Sequence, residues 1–220
     1  MPNPAPTEHC PISGETRTEE RWNSLTHLFG LLLAVALVPT LIVFAALKGP
    51  ALAVVSVSLY GAALIATYLA STVYHATRQV AIKRWLQRLD HASIYLLIAG
   101  TYGPFLLVAL GGGWGWSLMG VLWGTAALGV GFKLVFGNRY GRLSMLVYLI
   151  MGWSGLVAIY PLIISLPLPT LILVVVGGLA YSIGALFYMW KSFPANHAVW
   201  HLFCLAGSAC QGIAIFFVIT

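Results

Sequence analysis

Seven long apolar runs, set apart by short polar, glycine- or proline-bearing breaks, fill the chain from about residue 23 to its last residue. About 20 consecutive apolar residues let an α-helix cross the hydrocarbon core of a bilayer, where no water can satisfy backbone N–H and C=O groups. The runs cover about 23–47, 51–75, 90–110, 114–136 and 143–164, then a sixth ending near Trp190 and a seventh starting near Asn196. "KGP" at 48–50, "GGG" at 111–113 and "LPLP" before the sixth run supply breaks. Pro39 lies inside the first run and predicts a kink. With 60% hydrophobic and only 7% charged residues, the chain is no soluble domain, for which about 25% charged is usual. The runs are continuous rather than alternating, which excludes an outer-membrane barrel. The expectation is an all-α polytopic membrane protein, a seven-helix bundle over 19–220, preceded by a disordered tail over 1–18. That polar tail has no apolar core of the kind a secretory signal peptide carries.

The net charge of +6 is an orientation signal rather than a nucleic-acid footprint, because the basic residues sit in the connectors. Arg78, Lys83, Arg84 and Arg88 follow the second run; Arg139 and Arg142 follow the fourth; Lys191 follows the sixth; Arg17 and Arg21 precede the first. The opposite side carries Lys48. The positive-inside rule then predicts a cytoplasmic N-terminus and a C-terminus outside. The three cysteines, Cys10, Cys204 and Cys210, have no paired spacing and read as free thiols. Gly120 and Gly124 in the fourth run are spaced for close helix approach, and packing within the bundle is expected over a dimer interface.

The few ionisable residues converge under this topology. Asp90 is the one carboxylate after Glu20 and opens the third run in "RLDHASIYLL". His75 closes the second run, and Ser71 precedes it by one turn. His197 and His201 in "NHAVWHLF" open the seventh, four residues apart and so on one helix face. Each has a plain explanation alone: an N-cap for Asp90, a dipole-favoured helix end for His75, a wet first turn for the pair. Together they lie at one depth, near the cytoplasmic leaflet, while the outer half holds almost no ionisable group. Three histidines suit zinc, whose catalytic sites use three protein ligands and leave a position open. Asp90 is placed to hydrogen-bond a water there or a ligand imidazole. Glu20, Asn23 and His27 join the same layer from the first run and are expected to steady the ligands. His91 points about 100° away from Asp90 and is left out of the ligand set. Cys204, a turn beyond His201, is expected to pack as an apolar residue.

The motifs "ERWNSLTH", "STVYH", "LDHASIYLLIAGTYGPF" and "NHAVWH" resemble those of the hemolysin III family, the bacterial branch of the progestin and adipoQ receptor superfamily. The resemblance covers nearly the whole chain after the tail. It implies seven helices with the N-terminus inside and a zinc ion held by His75, His197 and His201. It also implies catalytic places beside the metal and its water for Asp90 and Ser71, as in the adiponectin receptors. The superfamily is grouped with alkaline ceramidases as metal-dependent lipid hydrolases, and its bacterial members are linked to membrane lipid homeostasis. The expected activity is hydrolysis of a membrane lipid amide or ester in a bacterial inner membrane, with no nucleic-acid partner. Two alternatives stand beside it: a heptahelical sensor of membrane state with a structural zinc, and a pore-forming hemolysin. The apolar outer half argues against ion conduction.

Overall fold

The computed structural model of the protein describes residues 9–220. The chain forms α1 (Arg17–Lys48), α2 (Ala51–Ala76), α3 (Val80–Gly103), α4 (Gly112–Phe136), α5 (Gly141–Trp153), α6 (Ile159–Ser165), α7 (Leu168–Met189) and α8 (Asn196–Ile219). Seven segments are long and apolar enough to cross a membrane, since α5 and α6 join through a 3-10 turn (Ser154–Ala158) into one span, Gly141–Ser165. No β-strand occurs among the described residues. Large apolar side chains cover the outside: Leu47, Leu128 and Tyr160 are 76%, 78% and 75% exposed. Contiguous exposure of this kind is stable only against lipid.

Local chemistry sets the ends of these helices. Thr16 caps α1, its hydroxyl accepting from the Glu19 N–H while the Glu19 carboxylate accepts from the Thr16 N–H, a reciprocal box. α1 runs without interruption through Pro39. α3 passes at Pro104, which has no N–H to donate, into a wider π-helical turn (Pro104–Leu110). Gly111 and Gly112 then take φ of +63° and +56°, a left-handed backbone that glycine adopts without a Cβ clash, and the chain reverses into α4.

Three expectations need correction. The tail was expected to be disordered over 1–18; residues 1–8 lie outside the described residues, but from His9 the chain is folded. The Cys10 N–H donates to the Glu15 carbonyl at 2.8 Å and His9 and Thr16 pair across the turn, so the segment closes on itself, and Ser13 ties it to Glu20 of α1. The third span begins at Val80, so Asp90 lies about three turns inside the helix instead of capping it. Gly120 and Gly124 do not serve packing within the bundle. A Cβ built on either meets nothing within 4 Å, since the packed face of α4 is the one carrying Gly115, Met119, Leu122, Ala126 and Gly129.

The core splits unevenly. One cluster joins α1, α2, α3 and α8 around Leu41, Val57, Leu64 and Ile215. A second joins α3 to α4 and α5 around Tyr95, Leu106, Leu122 and Met151. α5 buries only Ser144, Met145 and Met151, so the wall it forms is thin.

Candidate metal centre

One end of the bundle gathers the ends of α1, α2 and α8. His75 comes from the last turn of α2, and His197 and His201 from the first turns of α8. Asn196 fixes the start of α8. Its side-chain amide donates to the Phe187 and Tyr188 carbonyls at 3.2 and 3.0 Å, satisfying acceptors left open at the end of α7. The four-residue spacing then brings the two rings together edge to face, with centroids 4.7 Å apart. The His75 ring stands 4.8 Å from His197 and 5.2 Å from His201. All three are buried, and one nitrogen from each lies within 4.8 Å of the others, so the group can hold a metal ion.

The hydrogen bonds around the rings decide which nitrogens face the common point. His75 Nδ1 lies 2.7 Å from Glu20 Oε2, and its Nε2 is buried without a partner. A carboxylate only accepts, so Nδ1 carries the proton and Nε2 presents its lone pair. His201 Nδ1 lies 3.0 Å from the Asn23 carbonyl and 3.1 Å from Thr26 Oγ1. The carbonyl fixes the same tautomer and frees Nε2. Lys83 Nζ meets Glu20 Oε2 at 3.0 Å and donates to the Tyr74 carbonyl at 2.9 Å. The ammonium balances the Glu20 carboxylate, so His75 can serve as a neutral imidazole, the form that binds metals. An orphaned Nε2 on a buried ring beside two other imidazoles matches the donor set a borderline-soft divalent ion takes.

The other expected residues are distributed unequally. Glu20 touches His75 directly. Asn23 acts through its main-chain carbonyl, and its buried side-chain amide has no partner. His27 stacks on His201 with centroids 3.4 Å apart and makes no hydrogen bond. Ser71 Oγ is buried beside the Asp90 carboxylate but falls short of hydrogen-bond geometry to it. Ser71 and Asp90 line a cavity of about 220 Å³ that His197 and His201 also border. His75 approaches from the other side, next to a surface cleft lined by Glu20, Arg78 and Lys83. The cavity continues between apolar side chains, among them Leu97, Phe105, Leu162 and Leu171.

Several partners escaped the sequence. Ser13 donates to Glu20, and Glu15 Oε1 lies 3.9 Å from His197 Nδ1, so the folded lead-in covers the cluster from outside. Burial, and Glu19 beside it, raise the Glu15 carboxyl above its ordinary range. Lys83 counts in sequence only as a connector charge, yet it is buried. Lys133 is buried too, and a lysine short of the end of an apolar run is the sequence signal that marks it.

This architecture defines a class: a heptahelical membrane protein with a histidine cluster buried at one end beside an apolar cavity. The sequence pattern described as "Haemolysin-III related" matches residues 15–212, and the chain belongs to that family. It is 42% identical to Hemolysin-3 of Bacillus cereus over 201 residues, 91% of this chain and 92% of that one. The Hemolysin-3 homolog of Bacillus subtilis is also 42% identical, over 92% of this chain and 95% of its own length. Human Monocyte to macrophage differentiation factor is 28% identical over 163 residues, 71% of this chain and 67% of that protein.

Proposed function

We propose that the protein is a zinc-dependent hydrolase of a membrane lipid amide or ester, working in the bacterial inner membrane with its N-terminus in the cytoplasm. The observation that carries this reading is a cluster of three buried imidazoles, two of which border the same apolar cavity as Ser71 and Asp90. His75, His197 and His201 would hold the ion. Bound there, zinc supplies Lewis acidity and lets water act as a nucleophile near neutral pH. Asp90 takes the proton from the attacking water and returns it to the leaving group. The Ser71 hydroxyl, beside the Asp90 carboxylate on the cavity wall, donates to the oxyanion as it develops. The apolar wall seats the acyl chain and excludes bulk water. Turnover by such a site would link the protein to membrane lipid homeostasis.

Purified protein incubated with a lipid extract, followed by lipid mass spectrometry, tests this. Wild type should release free fatty acid. Asp90→Asn should lower the rate by about 100-fold or more while retaining its metal. Metal retained in wild type with no lipid turned over would favour a structural ion in a membrane-state sensor.

A further inference from the structure

Lys133 is the one buried cation of the cavity wall that the hydrolytic reading leaves without work. It projects from the last turn of α4 and is 1% exposed, yet it lines the same cavity as Asp90 and Ser71. Among the described residues no carboxylate lies within salt-bridge distance of its ammonium. Its single hydrogen bond is a long one, 3.5 Å to Asn138 Oδ1. An ammonium has three donors, and a buried charge is costly unless it is paired. Lys83 shows how this bundle treats its other buried lysine, with a carboxylate at 3.0 Å and a carbonyl at 2.9 Å.

Two charges reach Lys133 from α3: the Asp90 carboxylate, which lines the same cavity beyond salt-bridge distance and balances it only in part, and Arg88. Arg88 on α3 donates to the Leu134 carbonyl at 2.8 Å, which brings a guanidinium to the same helix end. Asn138 also lines the cavity, and its amide group offers donors beside the ammonium. Apolar side chains of the cavity lead away from this point, and the neighbouring α5 is the thinly packed wall. A ligand that satisfies both surfaces carries an oxyanion at one end and an acyl chain at the other.

We propose that Lys133 and Asn138 form an oxyanion subsite that selects lipids with a carboxylate or phosphate headgroup. The subsite deepens the hydrolytic reading and rests on it for the cavity's use by lipid, but not on metal. Lys133 is a specificity-determining residue here; it does not act on the scissile bond. A substrate held in this way keeps its charged group at the last turn of α4 and leaves its uncharged linkage to the rest of the cavity.

Native mass spectrometry of the full chain in detergent tests the subsite with four probes: oleate, oleoyl lysophosphatidate, oleyl alcohol and inorganic phosphate. Wild type should bind the two anionic lipids more tightly than the alcohol. Lys133→Met should weaken both by about tenfold or more and leave the alcohol unchanged, and Lys133→Arg should keep most of the preference. Equal binding of all probes by Lys133→Met and wild type would overturn the proposal, as would equal weakening of the alcohol, the result expected if Lys133 only offsets the helix dipole. Inorganic phosphate bound as tightly as the lipids would overturn the lipid assignment. If Lys133→Met does not fold, Asn138→Leu takes its place with the same expectations. Metal content measured on the same samples separates the two readings: a metal-free wild type that still prefers oleate sinks the hydrolase and keeps the subsite.

Discussion

The spans that carry the metal candidates and Asp90 are packed more tightly than the spans of α4 to α7, with α1 between them at 28% buried. Of the apolar windows of α2, α3 and α8, 50%, 56% and 44% of residues are buried; for α4, the α5–α6 span and α7 the shares are 22%, 17% and 22%. The tightly packed trio supplies His75, Asp90, His197 and His201, while the looser group supplies Lys133 and much of the cavity wall. A metal centre needs imidazoles held within a few tenths of an ångström, which rigid neighbours provide. The proposed function requires a lipid to enter and leave, which a thin wall would permit. Precision and access are thus assigned to opposite sides of one bundle.

Stripping the ion with a chelator should separate the two sides most strongly. Bound metal at a thousandfold excess over its Kd stabilises the folded state by about 4 kcal/mol, and protection from hydrogen exchange should fall at the ends of α2 and α8 well before α5. If α5 loosens equally, the division is wrong. Next comes Glu20→Gln, which removes the carboxylate that orients His75 and balances Lys83. It should lower zinc affinity by about 10–100-fold, read by competition with a fluorescent chelator. A smaller effect is expected at Gly61, where an added Cβ would fall 2.3 Å from Val38 Cγ1. Gly61→Ala should cost about 1–3 kcal/mol in a denaturant titration. Gly124→Ala in the loose group, with nothing within 4 Å, should stay within about 0.5 kcal/mol of wild type.

Much of this was legible in the sequence because membranes impose simple rules. Span length, connector charge and the scarcity of ionisable groups brought the second, third and seventh spans to one layer. The i, i+4 spacing put His197 and His201 on one face before any coordinates. What stayed hidden depends on side-chain direction and main-chain groups. The Asn23 carbonyl that orients His201 has no signature in residue type, and neither has the use of Thr26 beside it. Lys83 was counted for its charge, but a connector position does not reveal that its ammonium turns inward to Glu20. Gly120 and Gly124 show the converse error, since small residues permit close approach without requiring it. The helical start at Val80 was missed because the basic turns preceding Asp90 are polar enough to read as a connector.

The central claim is that His75, His197 and His201 share one zinc ion. Metal analysis of the full chain purified without added metal, wild type beside His197→Ala, tests it most directly. The account predicts about one zinc per wild-type chain and almost none in the variant, with both proteins monodisperse. A well-folded wild type without zinc, or a variant that keeps it, would contradict the account.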